Sequence, residues 1–140
     1  MPYSAVFLGI AGLIPFIAMP LFVITDMLSL SESARYFTQY SAVLLSFFGG
    51  VHWLDALQHN RTNHQLYIAM LPTIIGWLCL VFSGDVKVLG VLSVSYIAIL
   101  FYDKFTLTLP QKIVVAYTTV RMALTTVVVI CHAAMIVLLT

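Results

Sequence analysis

The stretch Ser4–Thr25, SAVFLGIAGLIPFIAMPLFVIT, carries no charged residue and closes at Asp26. A bilayer core about 30 Å thick is crossed by roughly 20 apolar residues at about 1.5 Å of helix rise each. The stretch is therefore read as a membrane-spanning helix. No Lys or Arg precedes it, so it lacks the positive start of a cleavable signal peptide and is expected to remain as a span. The whole chain shares its character. Of 140 residues 62% are hydrophobic and 8% charged, where soluble domains carry about 25% charge. So few charges cannot cover a water-facing surface. An ordinary soluble enzyme, a disordered tail and a nucleic-acid binder are excluded, the last because it needs a basic face and the net charge is +1.

Working outward, the second apolar run begins near Ser31, behind a capping-box pattern at Ser29-Leu30-Ser31-Glu32, and continues to Leu57. Residues 58–64, QHNRTNH, are the most polar run and are expected to form a loop. A third span is read over Gln65–Phe82, a turn at Ser83-Gly84-Asp85, and a fourth span over Val86–Tyr102. Thr108-Leu109-Pro110 reads as a helix start, with a fifth span to Leu139. The expected fold is all-α and integral to the membrane. It is one domain, residues 1–140, a bundle of five transmembrane helices (about 4–25, 31–57, 65–82, 86–102 and 110–139) with no soluble domain. Spans two and five exceed the length the hydrocarbon demands and should tilt or reach into the headgroups. Pro15, Pro20 and Pro72 fall within spans and are expected to kink them. Arg61, Lys104 and Lys112 fall on one side and Arg35 and Lys87 on the other, which places the N-terminus in the cytoplasm or matrix.

Polar groups inside spans are costly and call for a partner or a purpose. His52 and Asp55 lie three residues apart on one helical stripe, and His59 follows. Ala42, Ser46, Gly49 and Gly50 read as a small-residue surface on which another helix can lie, as do Gly9 and Gly12 in span one. Tyr117, Arg121 and Thr125 share a stripe of span five with His132. Arg121 lies too deep to reach water and calls for a carboxylate, either Asp55 or Asp103. Alternating topology brings the ends of spans two and four to the start of span five. His52, Asp55, Tyr102, Asp103, Tyr117 and Arg121 are thus expected to form one polar cluster, with Trp53 beside it.

Each feature also has a plainer meaning. An Arg–Asp pair is most often a clamp between helices. His52, Asp55 and His59 have metal-compatible spacing, but no second ligand-rich helix accompanies them and no metal site is expected. Trp53, Trp77, Tyr36, Tyr40 and Tyr102 suit an interfacial belt or the core. Cys79 and Cys131 lie in apolar runs and read as small packing residues. Asn60-Arg61-Thr62 matches a glycosylation sequon on the inner side and is read as chance.

Three stretches carry a resemblance: Leu8–Phe16 (LGIAGLIPF), Leu45–Trp53 (LSFFGGVHW), and Leu109-Pro110 with Arg121 and Thr125. With these the chain resembles the small integral membrane proteins of domain of unknown function 3429, whose mitochondrial members are transmembrane protein 69-like. The resemblance implies about five spans in a bacterial inner membrane, or a mitochondrial one in a eukaryote, and implies no activity. Leu54-Asp55 stands where that family usually has glycine after His-Trp, and Gln111-Lys112-Ile113 where it usually has Trp-Tyr after the proline. His52, Trp53 and Arg121 are left as the shared positions.

Three functions are compatible with these residues. The first is a non-catalytic accessory subunit or assembly partner, in contact with lipid and with other membrane proteins or further copies of itself. The second is a binder of a quinone, lipid or haem at His52, Trp53, Tyr117 and Arg121. The third is a small transporter working as an oligomer. No cofactor is specified by the sequence.

Overall fold

A computed structural model describes residues 3–58, 64–82, 85–106 and 111–140, with backbone only at 104, 106 and 111–118. The described residues form six helical segments: α1 (Tyr3–Ala11), α2 (Ile14–Ile24), α3 (Leu30–Gln58), α4 (His64–Val81), α5 (Val86–Thr106) and α6 (Gln111–Leu139). The protein is an all-α membrane bundle. Among the described residues four stretches are long and apolar enough to cross a bilayer: Tyr3–Ile24, His64–Val81, Val86–Asp103 and Thr119–Leu139. At 29 residues α3 also has the length to cross. Its polarity sets it apart, and the reason is its position. It packs against α2, α4, α5 and α6, and some of its polar side chains are buried among those neighbours. Ser33, Thr38, Ser41, His52 and Asp55 are all buried.

The first span is not one continuous helix. It breaks at Gly12-Leu13, ahead of Pro15 rather than at it. A proline in a helix lacks an N–H and displaces the turn before it, which frees carbonyls there. One of them, the Gly12 carbonyl, accepts a hydrogen bond from the Tyr40 hydroxyl of α3 at 2.8 Å. The break re-aims α2 so that Phe16 enters the core. Phe16 is fully buried and makes edge contacts with Phe37 (centroids 5.3 Å), Tyr40 (5.0 Å) and Tyr96 (6.3 Å). Leu45, Leu92 and Met135 complete this layer. By contrast α1 buries none of its residues.

The turns follow their local chemistry. Asp26 adopts φ 59°, and Met27 N–H reaches back to the Phe22 carbonyl at 2.9 Å, ending α2 in a Schellman motif. Ser29 Oγ accepts from Glu32 N–H at 3.3 Å and starts α3. Asp85 Oδ1 accepts from Lys87 N–H at 3.0 Å and starts α5. The expected start of the last helix at Thr108-Leu109-Pro110 lies outside the described residues, as do Ser83 and Gly84.

Glycine contacts show where helices meet. A Cβ on Gly49 would lie 2.5 Å from the Ala69 carbonyl oxygen and 3.3 Å from Pro72, so the backbones of α3 and α4 approach closely there. Gly76 of α4 approaches the Ala42 carbonyl and Ser46 in the same way, and Gly9 faces Leu124 of α6 at 3.1 Å. At Gly12 the nearest atoms are its own chain's Gly9 carbonyl, 3.3 Å, and the Tyr40 hydroxyl, 3.6 Å. Gly50 departs from the expected surface. It is exposed, with nothing within 4 Å of its missing Cβ. Successive residues point about 100° apart on a helix, so Gly49 and Gly50 cannot both face α4.

Candidate functional site: a buried polar clamp across four helices

The end of α3, the start of α4, the end of α5 and α6 converge at one end of the bundle. Asp103 of α5 is the centre of this meeting. Its Oδ2 accepts from Arg121 Nε of α6 at 2.9 Å, and its Oδ1 accepts from His52 Nε2 of α3. Arg121 thus meets Asp103, the alternative that sequence left open against Asp55. His52, Asp103 and Arg121 are all buried.

Gln65, the second residue of α4, completes the arrangement. Its Nε2 lies 2.9 Å from Asp55 Oδ2 and 3.2 Å from His52 Nδ1. An amide nitrogen has two protons and can donate to both. His52 Nδ1 then accepts, which puts the ring proton on Nε2 and aims it at Asp103. Its two neighbours thus fix the orientation of the His52 ring. Beside it the Tyr102 ring lies tilted by 49°, 4.7 Å between centroids, and the Tyr102 hydroxyl pairs with His64 Nδ1 at 2.8 Å. The Arg121 guanidinium lies over the Phe48 ring, 3.4 Å from its centroid, which fixes its plane.

The structure therefore brings together His52, Asp55, Tyr102, Asp103 and Arg121. Trp53 does not join them. It is 43% exposed, because it points about a third of a turn away from His52 on α3. The side chain of Tyr117 lies outside the described residues, as does His59. Two participants were not anticipated. Gln65 is uncharged and is expected only as the first residue of the third span. His64 is expected in the loop over residues 58–64 but is the first residue of α4. A signal existed: a His-Gln pair opening an apolar helix that faces the end of a helix bearing His and Asp.

His132 occupies a separate buried site. Its Nε2 accepts from Ser41 Oγ at 2.7 Å, its Nδ1 donates to the Val128 carbonyl at 2.7 Å, and Phe16, Phe37 and Tyr96 surround it. Tyr40, expected in a belt or the core, packs against the core and also ties α3 to the helix break. Both nitrogens of His52 and of His132 are engaged. Axial ligation of a haem by either would have to break one of these hydrogen bonds.

Comparison with known proteins places this architecture. The family model described as "Protein of unknown function (DUF3429)" matches residues 1–137. The chain is 35% identical to Transmembrane protein 69 of Xenopus tropicalis over 107 residues, 73% of this chain and 42% of that protein. It is 31% identical to Transmembrane protein 69 of Mus musculus over 86 residues, 59% of this chain and 35% of that protein. The chain thus spans less than half the length of these curated relatives. No solved structure matches it. With a family model covering it from residue 1 to 137, and a multi-pass helical bundle beneath that match, the chain belongs to the DUF3429 family of proteins of unknown function.

Proposed function

We propose that this protein is a non-catalytic accessory subunit or assembly partner of other membrane proteins. In this reading α3 is the fifth crossing, the membrane is a bacterial inner membrane or its mitochondrial counterpart, and the N-terminus faces the cytoplasm or matrix. One observation carries the proposal: His52, Asp55, Gln65 and Asp103 hold one another and the Arg121 Nε across four helices. Asp103 is shared between His52 and Arg121, and Gln65 between His52 and Asp55. Such a set fixes how helices sit together, and buried ionic groups of this kind favour a defined register. The outward surface of α1, with Tyr3, Phe7 and Ile10 exposed and no residue buried, supports the reading as the segment most open to a neighbouring protein.

The test is purification of the tagged chain in a mild detergent, compared with a chain carrying Phe7→Ala and Ile10→Ala. A partner held in stoichiometric amount by the first and lost from the second is the expected result. A monodisperse monomer with no partner from either would sink the reading.

A further inference from the structure

A cavity of about 520 Å³ lies between α1, the α1–α2 break, and the facing sides of α3 and α6. That is within the range of roughly 300–1,000 Å³ common to small-ligand sites. Its walls are almost wholly apolar, among them Ala5, Leu44, Leu124 and Val128. Leu8 and Phe47 also line it and are 67% and 64% exposed, so it opens sideways toward the lipid.

Two polar side chains, one helical turn apart on α6, line the same cavity. Among the described residues, each bears a buried atom without a hydrogen-bond partner: Arg121 Nη2 and Thr125 Oγ1. Arg121 is 4% exposed and Thr125 3%. The hydroxyls of Thr38, Ser46, Ser93, Ser95 and Thr126 all bond to the carbonyl four residues back on their own helices. Thr125 could do the same and does not. The two tyrosine hydroxyls nearby are already used, Tyr40 on the Gly12 carbonyl and Tyr96 on the Ser41 carbonyl. Two unmet polar groups therefore lie in the wall of an apolar chamber, and leaving them unmet is costly.

We infer that this cavity binds a neutral, carbonyl-bearing lipid, with its carbonyl oxygen on Arg121 Nη2 and Thr125 Oγ1 and its apolar part between α1 and α3. A carbonyl oxygen has two lone pairs and can accept from both donors at once. A neutral group fits better than an anion, because Asp103 already balances the Arg121 charge and a further negative charge would be uncompensated in a low-dielectric interior. The site differs from a His52–Trp53 site: the His52 nitrogens are engaged and Trp53 faces outward. It also stands independently of the assembly role.

A quinone and a glycerolipid ester both supply this carbonyl. The full-length protein, stripped of endogenous lipid in detergent, would be titrated with decylubiquinone and separately with dioctanoylglycerol, with dodecane as the carbonyl-free comparison. Thermal stabilisation would report binding. One or both carbonyl probes should bind near one per chain, and more tightly than dodecane. Binding of the first identifies a quinone carbonyl, and of the second an ester. Ala5→Phe fills the chamber from the peripheral helix and should weaken binding at least about tenfold. Thr125→Val keeps the shape without the hydroxyl and should weaken it about fivefold. Neither substitution touches the Asp103–Arg121 pair. Should Ala5→Phe fail to fold, Thr125→Val still tests the site. Binding of neither carbonyl probe, or equal binding by dodecane, would overturn the inference. So would affinities unchanged in every folded variant.

Discussion

Arg121 Nε of α6 donates to Asp103 Oδ2 of α5 at 2.9 Å, with both side chains 5% exposed. Arg121 lies ten residues into α6, about 15 Å along the helix, where a lone guanidinium in lipid would be strongly unfavourable. The carboxylate that meets it also accepts from His52, so one acidic residue joins α3, α5 and α6. Gln65 brings in α4. The four helices are tied at a single buried point, and the consequences for stability are specific.

Asp103→Ala should be among the most damaging single substitutions. It leaves Arg121 buried without its carboxylate and His52 Nε2 without its acceptor, at a cost of about 3–5 kcal/mol. Asp85→Ala removes an exposed helix cap and should cost only about 1 kcal/mol. Cys79 and Cys131, both free and buried, provide the readout, since they react with a thiol dye once the bundle opens. Equal melting temperatures for the two variants would contradict the clamp.

The two adjacent glycines of α3 should behave oppositely. Gly49→Ala pushes a methyl to 2.5 Å from the Ala69 carbonyl and must separate α3 from α4, costing about 1–3 kcal/mol. Gly50→Ala meets open space and gains helix propensity, so it should be neutral or stabilising by up to about 1 kcal/mol. Thermal unfolding of the pair checks this, and destabilisation by both would show that Gly50 also lies at a contact.

Much of this arrangement could be read from the chain, and the limits have physical causes. Absence of charge over Ser4–Thr25 speaks for lipid whatever the neighbours. Alternating spans bring His52, Asp103 and Arg121 to one end by counting alone. What counting cannot supply is rotation about each helix axis. That is why Trp53 stands outside the cluster and Gly50 off the packing surface, each one residue from a buried neighbour. It also hides which of two carboxylates Arg121 meets. Gln65 was passed over because an uncharged amide gives no composition signal. Its role depends on what faces it. The break at Gly12-Leu13 was displaced from Pro15 because a proline disrupts the turn before it.

Tyr40→Phe isolates the tie between α3 and the helix break. It keeps the ring against Phe16 and removes only the donor to the Gly12 carbonyl. A loss of about 1–2 kcal/mol is expected. Hydrogen exchange should quicken at the amides around Gly12 and Ile14 more than in α4. Uniform or absent change in exchange would mean that the hydroxyl does not hold the break.

The most direct measurement is a double-mutant cycle on Asp103 and Arg121, with Leu at either position or both, read by thermal unfolding in one detergent. A buried pair predicts that each single substitution strands a polar group, whereas the double removes both charges together. The double variant should then be at least about 2 kcal/mol more stable than the sum of the two single losses implies. Additivity within about 0.5 kcal/mol would contradict the clamp, because two residues that do not interact have no coupling to recover.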